Sequence, residues 1–333
     1  MQTRQVAGRV YNYDSAIAKV GTGGKGISQP LDFCLGSGGS LYILNRGTEY
    51  SPSQGITKFT LDHRLLWDDR GPGCANGQAK WPASIDVDSE EKVYLSDEYT
   101  NMVYILDKDG NYLNSWDTKG TGDRELNAPS GIAFNKEDHL YVVDTLNHRI
   151  QKFTKDGKFL LMWGSQGTGE GEFNMPWGIA VDKEGDVYVA DWKNDRVQKF
   201  SNDGRYLATF GSPGSGDGEL HRPSGVAIDS DGDVYVADCG NDRLNIYAPD
   251  GVFITAFHGD AELLSAWAQE GVNASPDTTK ARLRADPKVE WRFRRPVAVN
   301  VDDEGRIIVL DQKRSRLLIY IKERNFVPAA FNL

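Results

Sequence analysis

The chain has 333 residues, of which 39% are hydrophobic, 26% are charged and 11% are aromatic, and its formal net charge is −10. This acidic balance argues against nucleic acid as a partner, because the phosphate backbone repels an acidic chain. The sequence contains no apolar run of membrane-spanning length and no signal-peptide core, so we expect a cytoplasmic protein that does not enter a membrane. Its three cysteines have the spacing of neither a disulfide framework nor a zinc motif.

The N-terminal segment RVYNYDSAIAKVGTGGKGISQP begins at residue 9 and ends at Pro30. It matches the end of a later repeat, from the strand-like run RVQKF through the linker to the next opening proline. We therefore expect the segment to pair with the last repeat and to close a ring, which leaves no exposed sheet edge there. The C-terminal segment NFVPAAFNL is an alternative for the same place.

Six copies of a repeat follow in chain order. Their opening prolines are Pro30, Pro82, Pro129, Pro176, Pro223 and Pro296. The third, fourth and fifth copies are the most regular, with prolines 47 residues apart. Each copy has four strand-like runs, here called a to d, separated by turn sequences such as KEGD, WKND and NDG. Four strands in a repeat of this size are typical of a propeller blade. The sequence thus predicts an all-β fold, a six-bladed β-propeller.

The repeated motifs Pro-x-Gly, Gly-Asp-Val-Tyr-Val-Ala-Asp and Asn-x-Arg resemble the NHL repeat family over nearly the whole chain. That family includes RNA-binding modules, protein-interaction modules and a zinc-dependent lyase acting on peptidyl-hydroxyglycine, and metal-dependent lactonases are related propellers. The resemblance implies histidines directly after the opening prolines if the chain were such a lyase. Those positions hold Leu31, Ala83, Ser130, Trp177, Ser224 and Val297. This departure argues against the amidating activity.

Polar residues that recur in most repeats are interpreted as structural, because a catalytic or binding site is expected to occur only once in the chain. An aspartate ends strand b and an arginine begins strand c in most copies, which predicts an Asp–Arg or Asp–backbone tie across the b–c turn. The linker glutamates Glu125, Glu172 and Glu219 repeat in the same way. The acidic run from Asp229 to Asp233 lacks the glutamate of a calcium loop, so we predict a β-turn there.

Two insertions interrupt the repeat. Successive strands of a blade run in opposite directions, so the b–c turns and the d–a linkers share one face, called the top. The first insertion, in NRGTEYSPSQG, is a b–c turn of blade 1, and the second, residues 259–295, is the linker between blades 5 and 6. Both lie on the top face, and insertions on a rigid scaffold often carry binding function.

The second insertion is predicted to contain two helices. Asp260 is a predicted N-cap for AELLSAWAQE, whose apolar stripe includes Leu263 and Trp267, and Pro276 is predicted to begin a second, basic helix. We expect the apolar stripe to pack on the propeller, with the basic side facing the channel or water. The insertion is therefore the candidate lid of the channel.

The candidate ligand-binding residues do not follow the repeat and ring the top channel mouth. They are Asp32, Trp81, Trp177, His221, Arg222 and Arg295. Tryptophans and arginines there could bind a flat or anionic ligand by stacking and charge, or the tryptophans could instead pack under neighbouring linkers. Asp32 is the one irregular carboxylate that could serve a calcium or zinc site of the lactonase kind.

These observations predict a protein that binds a small anionic molecule at the top mouth, as a binding protein or as a lyase or hydrolase. The alternative is a non-catalytic protein-interaction scaffold that uses the same face. RNA binding is disfavoured by the net charge. No catalytic residue can be assigned from the sequence.

Overall fold

The computed structural model describes residues 3–21, 24–46, 54–70, 79–116, 118–261, 263–284 and 286–323. They form five four-stranded sheets and one five-stranded sheet, which are the six blades of a β-propeller. Blades 1 to 5 each take their four strands from one repeat, in the order a, b, c, d from the axis outward. The predicted fold class is confirmed. No described helix is long and apolar enough to cross a membrane.

The first three blades contain the strands of the first three repeats. The strands of blade 1 are Pro30–Leu35, Ser40–Asn45, Gly55–Thr60 and Leu65–Arg70. The strands of blade 2 are Pro82–Val87, Val93–Asp97, Met102–Leu106 and Tyr112–Trp116. The strands of blade 3 are Pro129–Phe134, His139–Asp144, Arg149–Thr154 and Phe159–Trp163.

The last three blades complete the ring. The strands of blade 4 are Ile179–Val181, Val187–Asp191, Arg196–Phe200 and Tyr206–Phe210. The strands of blade 5 are Pro223–Ile228, Val234–Asp238, Arg243–Tyr247 and Phe253–Phe257. The strands of blade 6 are Pro296–Val301, Arg306–Asp311, Arg316–Lys322 and Arg9–Ile17, with Thr3–Val6 as a fifth, outermost strand.

The N-terminal segment closes the ring, as its sequence predicts. Strand Arg9–Ile17 pairs antiparallel with Arg316–Lys322, from Tyr11 opposite Lys322 to Ile17 opposite Leu317. One sheet therefore contains strands from both ends of the chain, so the first and last repeats cannot separate without breaking this pairing. The competing segment NFVPAAFNL lies outside the described residues.

The core consists of apolar side chains packed between neighbouring blades. Between blades 3 and 4, for example, Tyr141 and Val143 meet Val189 and Phe200, and all of them are buried. The linker residue Phe173 inserts into the same cluster with no exposed surface. Burying a side chain of this size contributes about 1.5–3 kcal/mol, so each linker helps to hold two blades together.

In blades 2 to 6 a buried aspartate ties the b–c turn to the incoming linker. In blade 3, Arg149 Nε donates to Asp144 Oδ2 at 2.7 Å, and the same guanidinium donates to the carbonyl oxygens of Gly122 and Glu125 in the incoming linker. The second carboxylate oxygen, Oδ1, accepts the linker N–H of Asn127 at 2.7 Å. The equivalent ion pairs are Asp191–Arg196, Asp238–Arg243 and Asp311–Arg316. The predicted structural tie is confirmed.

The linker glutamates also have a structural role, as predicted. Glu125 Oε2 accepts the N–H groups of Thr121 and Gly122 at 2.8 Å, so it caps the turn of its own linker. Glu172 and Glu219 make the corresponding bonds to Gly169 and Gly216.

The acidic run from Asp229 to Asp233 is the a–b turn of blade 5, as predicted. Asp229 Oδ1 accepts the N–H groups of Asp231 and Asp233 at 2.9 and 3.0 Å. Lys322 Nζ lies 2.6, 2.7 and 2.8 Å from carboxylate oxygens of the three aspartates. An ammonium group of the chain itself therefore lies where a bound cation would be held, and it ties blade 5 to the closing blade.

The insertion between blades 5 and 6 contains three short helices in its described part, one more than predicted. Helix α1 is Ala266–Asn273, α2 is Pro276–Arg284 and α3 is Pro287–Trp291. The prediction that Asp260 caps the first helix is wrong, because Asp260 is buried and pairs with Arg4 of the N-terminal strand at 3.4 Å. Ser265 is the N-cap instead, and its Oγ accepts the N–H of Ala268 at 3.2 Å.

Helix α1 packs across the seam where the ring closes. Trp267 is 2% exposed and makes edge-on ring contacts with Phe59 and His63 of blade 1, with centroids 5.4 and 5.8 Å apart. Ser265 Oγ donates to the carbonyl oxygen of Ala18, in the linker that follows the closing strand. Leu263, predicted on the buried stripe, is 77% exposed. The insertion therefore spans blade 6 and reaches blade 1.

None of the described insertion residues lines the channel. Residues 47–53 of the other insertion, in the b–c turn of blade 1, lie outside the described residues. The role of the insertion as a lid stays a prediction.

We expect Arg243→Ala to lower the free energy of unfolding by about 3 kcal/mol, because Asp238 would be left buried without its cation. Urea denaturation of the variant and the wild-type protein measures this difference. Arg205→Ala, at an exposed arginine in a c–d turn, is the matched control and should change stability by less than about 0.5 kcal/mol. Equal losses in the two variants would contradict a structural role for the tie.

We expect Trp267→Ala to cost about 3 kcal/mol, since a buried aromatic ring is removed. The loss should be local, so amide hydrogen exchange should rise most in the closing strand Arg9–Ile17. Leu283→Ala removes an 84% exposed side chain of the same insertion and is the control. A uniform rise in exchange over all blades would argue that α1 does not stabilise the ring closure.

Candidate functional site

The six a strands surround a channel of about 260 Å³. Its wall is asymmetric at the positions two and four residues after each opening proline. In blades 3, 4 and 5 these positions hold only glycine and alanine: Gly131, Ala133, Gly178, Ala180, Gly225 and Ala227. In blades 6, 1 and 2 they hold Ala298, Asn300, Asp32, Cys34, Ser84 and Asp86. One side of the channel is therefore polar, and the other consists of small residues.

The glycines of the regular side permit close packing of neighbouring a strands. A Cβ atom at Gly178 would lie 2.2 Å from the carbonyl oxygen of Ser224, which no real side chain tolerates. The N–H of Gly131 donates to the carbonyl oxygen of Trp177 at 2.8 Å. Between blades 1 and 2 a carboxylate makes the connection instead.

Asp32 connects blade 1 to blade 2 inside the channel. Its Oδ2 accepts hydrogen bonds from Ser84 Oγ and from the N–H of Ile85, the latter at 3.2 Å. Its Oδ1 accepts the N–H of Phe33 at 2.9 Å. Burial raises the pKa of Asp32 to about 6, although these hydrogen bonds favour the charged form.

Asp86 makes the corresponding connection from blade 2 to blade 3. Its Oδ2 accepts the N–H of Phe134 at 2.8 Å, and its Oδ1 accepts the N–H of Val87 at 2.9 Å. Burial, with a smaller contribution from the charge of Asp32, raises the pKa of Asp86 to about 7. Among the described residues that line the channel, none is basic. Two carboxyl groups that titrate near neutral pH therefore share this channel.

Cys34 lies on the same wall and is almost fully buried. Burial, then the charges of Asp86 and Asp32, raise the pKa of its thiol well above the ordinary value. The thiol is therefore protonated at neutral pH and is a poor nucleophile.

The residues that precede the opening prolines form the rim of the mouth, and their backbone is fixed by the preceding blade. Arg222 has a φ of 53°, and its N–H donates to Asp195 Oδ1 at 2.6 Å. Arg295 has a φ of 64°, and its N–H donates to Asp242 Oδ1 at 2.6 Å. Both arginines are exposed. The turn residue of one blade thus sets the direction of the rim residue of the next.

The Arg222 guanidinium lies over an indole ring. Its guanidinium carbon lies 5.0 Å from the ring centroid of Trp192, the first residue of the b–c turn of blade 4. His221 is half exposed, and its Nδ1 lies 3.5 Å from Asp195 Oδ1. Asp195 is thus engaged by the backbone of Arg222 and by His221, and the Arg222 guanidinium has no ion-pair partner in the described part of the chain.

Trp81 takes part in a second stack of this kind. Its ring is 51% exposed, and the Arg46 guanidinium carbon lies 4.8 Å from its centroid. Arg46 also pairs with Glu98, with Nη2 and Oε1 3.2 Å apart. Burial lowers the pKa of Arg46 and raises the pKa of Glu98, so the pair is partly desolvated.

The remaining predicted residues lie at two depths. Trp177 is half-buried in the channel wall, and its carbonyl oxygen accepts a hydrogen bond from Ser130 Oγ at 2.9 Å. Arg295 lies beside Cys239, whose thiol pKa is raised by burial and lowered less strongly by this guanidinium. The structure therefore places Asp32 and Trp177 in the channel wall and the other four predicted residues at the rim.

The rim carries mainly positive charge in its described part. We define the rim as the b–c turns and the two residues before each opening proline. Its cations are Arg46, Lys80, Lys193, Arg222, Arg294, Arg295, Lys313 and Arg314. Its carboxylates are Glu98, Asp195 and Asp242. This excess of cations stands out in a chain of net charge −10.

Sequence reasoning missed three residues of the site: Asp86, Arg46 and Trp192. Asp86 could have been found by aligning the six a strands, because it is the only carboxylate at its position. Trp192 and Arg46 each occupy the first position of a b–c turn. The repeat pattern does not indicate that this position lies against the residue before the next opening proline.

A metal site has no support in the described residues. They contain no group of three or more histidine, cysteine, aspartate or glutamate side chains that could hold a metal ion. Asp32, the carboxylate considered for calcium or zinc, is bonded to Ser84 and to backbone N–H groups instead.

Comparison with known proteins agrees with this architecture. The NHL repeat family model matches residues 126–153, 173–200 and 220–247, which lie in the three regular blades and their linkers. No curated protein sequence gives a significant match.

Several solved structures share the fold at low sequence identity. A streptogramin B lyase has a TM-score of 0.57 and 14% identity, over 94% of this chain and 98% of that one. Virginiamycin B lyase from Staphylococcus aureus has a TM-score of 0.57 and 12% identity, over 93% and 99%. An auxiliary nutrient binding protein from Bacteroides ovatus has a TM-score of 0.62 and 10% identity, over 94% and 77%.

These identities establish a common fold and leave the function to be argued from the site itself. The blades matched by the family model are those with the glycine and alanine wall, and the polar wall comes from the other three. The chain is a six-bladed β-propeller that contains NHL repeats.

Proposed function

We propose that the protein binds a small anionic molecule at the top mouth of its channel. The observation that carries this proposal is the cationic rim, with its exposed arginines and indole rings, on a chain that is acidic as a whole. A surface with an excess of one sign of charge concentrates ligands of the opposite sign. Arg222 and Arg295 belong to neighbouring blades, so both could contact one ligand.

The channel below the rim provides groups for acid–base chemistry. Asp32 and Asp86 titrate near pH 6 and pH 7, so near neutrality each can donate or accept a proton. Strongly shifted carboxyl groups in a cleft are typical of functional sites. A lyase or hydrolase reaction would use the arginines to hold the anion and a channel carboxyl group to transfer the proton.

The structural neighbours support both forms of this proposal. Two of them are lyases and one is a nutrient binding protein. Because their identity to this chain is low, they favour neither catalysis nor simple binding. The choice depends on whether a bound ligand reaches the channel carboxyl groups.

A non-catalytic protein-interaction scaffold is the second candidate. It is favoured by apolar side chains on the insertion, since Leu263, Leu283 and Val289 are 77%, 84% and 61% exposed. Apolar groups on a basic surface are common in binding interfaces. This candidate predicts a stable complex that does not require the rim arginines.

We expect an Arg222→Ala, Arg295→Ala double variant to bind citrate and glucose 6-phosphate about tenfold more weakly than the wild type, because it lacks two rim cations. Isothermal titration calorimetry measures the affinities, with glucose as the uncharged reference. The control is Arg64→Ala, Arg205→Ala, which removes two exposed arginines from c–d turns on the opposite face. Equal weakening in both variants, or no anion binding by the wild type, would refute a site at the mouth.

We expect stability to fall between pH 5 and pH 8 in part because of Asp86. Its pKa is about 7 in the folded protein and near 3.8 in the unfolded chain, so the folded state holds an extra proton in this interval. Stability is therefore lost as the pH rises. Asp86→Asn should flatten this dependence by about 2–3 kcal/mol.

Urea denaturation at pH 5 and pH 8 measures the effect of Asp86→Asn on the pH dependence. Asp123→Asn, at an exposed linker position, is the control and should keep the wild-type dependence. A wild-type pH dependence in Asp86→Asn would show that the carboxyl group is not desolvated in the channel.

A further inference from the structure

We propose that the anion recognised at the mouth is a carboxylate, held by the edge of the Arg222 guanidinium while the flat face of that group rests on Trp192. This assignment depends on the proposed function and adds the chemical class of the ligand group. It follows from comparing two places in the ring that have the same geometry.

The two places are niches between consecutive blades. Each niche is formed by the first residue of one b–c turn and the residue before the next opening proline. Between blades 1 and 2 these residues are Arg46 and Trp81, and between blades 4 and 5 they are Trp192 and Arg222. The residue types are exchanged, yet each niche has a guanidinium over an indole ring, at 4.8 and 5.0 Å. The niches are three blades apart, on opposite sides of a six-bladed ring.

The niche between blades 1 and 2 already contains a carboxylate. Glu98 pairs with Arg46 at 3.2 Å while the Arg46 guanidinium lies over the Trp81 ring. Glu98 is the first residue of the b–c turn of blade 2. Within the same molecule, a guanidinium that lies over a rim indole is thus also paired with a carboxylate.

The niche between blades 4 and 5 has no such residue. The position equivalent to Glu98 is the first residue of the b–c turn of blade 5, which is Cys239. In the described part of the chain no carboxylate forms an ion pair with the Arg222 guanidinium. Asp195, the nearby acid, accepts the backbone N–H of Arg222 and lies beside His221. A ligand carboxylate would therefore form with Arg222 the ion pair that Glu98 forms with Arg46.

The physical chemistry of the stack favours this ligand. The N–H groups of a guanidinium lie in its plane, so stacking one face on an indole leaves the edge free. That edge can make two parallel hydrogen bonds to the two oxygens of a planar carboxylate. Arg295, which lies beside Cys239, adds a second cation near the same position. In this proposal Trp192 is a positioning residue, because its ring lies against the Arg222 guanidinium.

Benzoate, benzenesulfonate and benzamide are suitable probes, since they differ only in the group attached to the ring. We expect one benzoate to bind per chain, more tightly than benzenesulfonate, with no binding of benzamide. Cys239→Glu should supply an internal carboxylate and abolish benzoate binding, whereas Cys239→Gln should bind as the wild type does. Arg222→Lys keeps the charge and loses the planar fork, so it should bind benzoate about tenfold more weakly.

A gain-of-function variant tests the comparison of the niches. Glu98→Ala should free the Arg46 fork and raise the stoichiometry to two benzoates per chain. Thermal denaturation of each variant establishes that it is folded before the titration. An unchanged stoichiometry in folded Glu98→Ala would contradict the analogy on which the assignment rests.

The remaining outcomes separate this inference from the proposed function. Equal binding of benzoate and benzenesulfonate, or full benzoate binding by Cys239→Glu, would overturn the carboxylate assignment and leave anion binding at the mouth intact. Failure of every anion, including citrate and glucose 6-phosphate, to bind would overturn both.

Discussion

Each blade has a polar side chain without exposed surface at the end of strand b, and the geometry of the channel mouth depends on it. The residue is Asn45 in blade 1 and an aspartate in the other five blades. It accepts a linker N–H two residues before the opening proline, as Asp238 does from His221 at 2.7 Å. In blades 3 to 6 it also holds the arginine that begins strand c. A buried charge needs these partners, so the linker has little freedom and the rim residues have defined positions.

Residues that follow the repeat form the scaffold, and residues that depart from it form the candidate site. The regular blades contribute glycine and alanine to the channel, because their a strands pack closely. The less regular blades replace these residues with Asp32, Ser84 and Asp86, and their carboxylates connect the a strands instead. The connection leaves two carboxyl groups without a cation in a narrow channel, which raises their pKa values. The polar wall therefore both connects neighbouring a strands and supplies carboxyl groups with raised pKa values.

Much of the fold could be predicted from the sequence, because each strand, turn and ion pair recurs in several repeats and its role can be inferred from several copies. Six blades, closure by the N-terminal segment and the Asp–Arg ties all follow from repetition. The cap of helix α1 could not be predicted, because Asp260 is attracted by Arg4, a residue distant in sequence. The candidate site was predicted in part, at its rim. Trp192 escaped notice because its importance depends on which residue of the next blade lies against it.

The central claim is that the mouth binds a carboxylate at the guanidinium edge of Arg222. A crystal structure of the protein soaked with benzoate tests this claim most directly. We predict electron density for the carboxylate in the plane of the Arg222 guanidinium, with both oxygens within hydrogen-bonding distance of its nitrogens and with Trp192 still stacked beneath it. Density for benzoate only elsewhere on the molecule, or an Arg222 side chain turned away from Trp192 toward solvent, would contradict the claim.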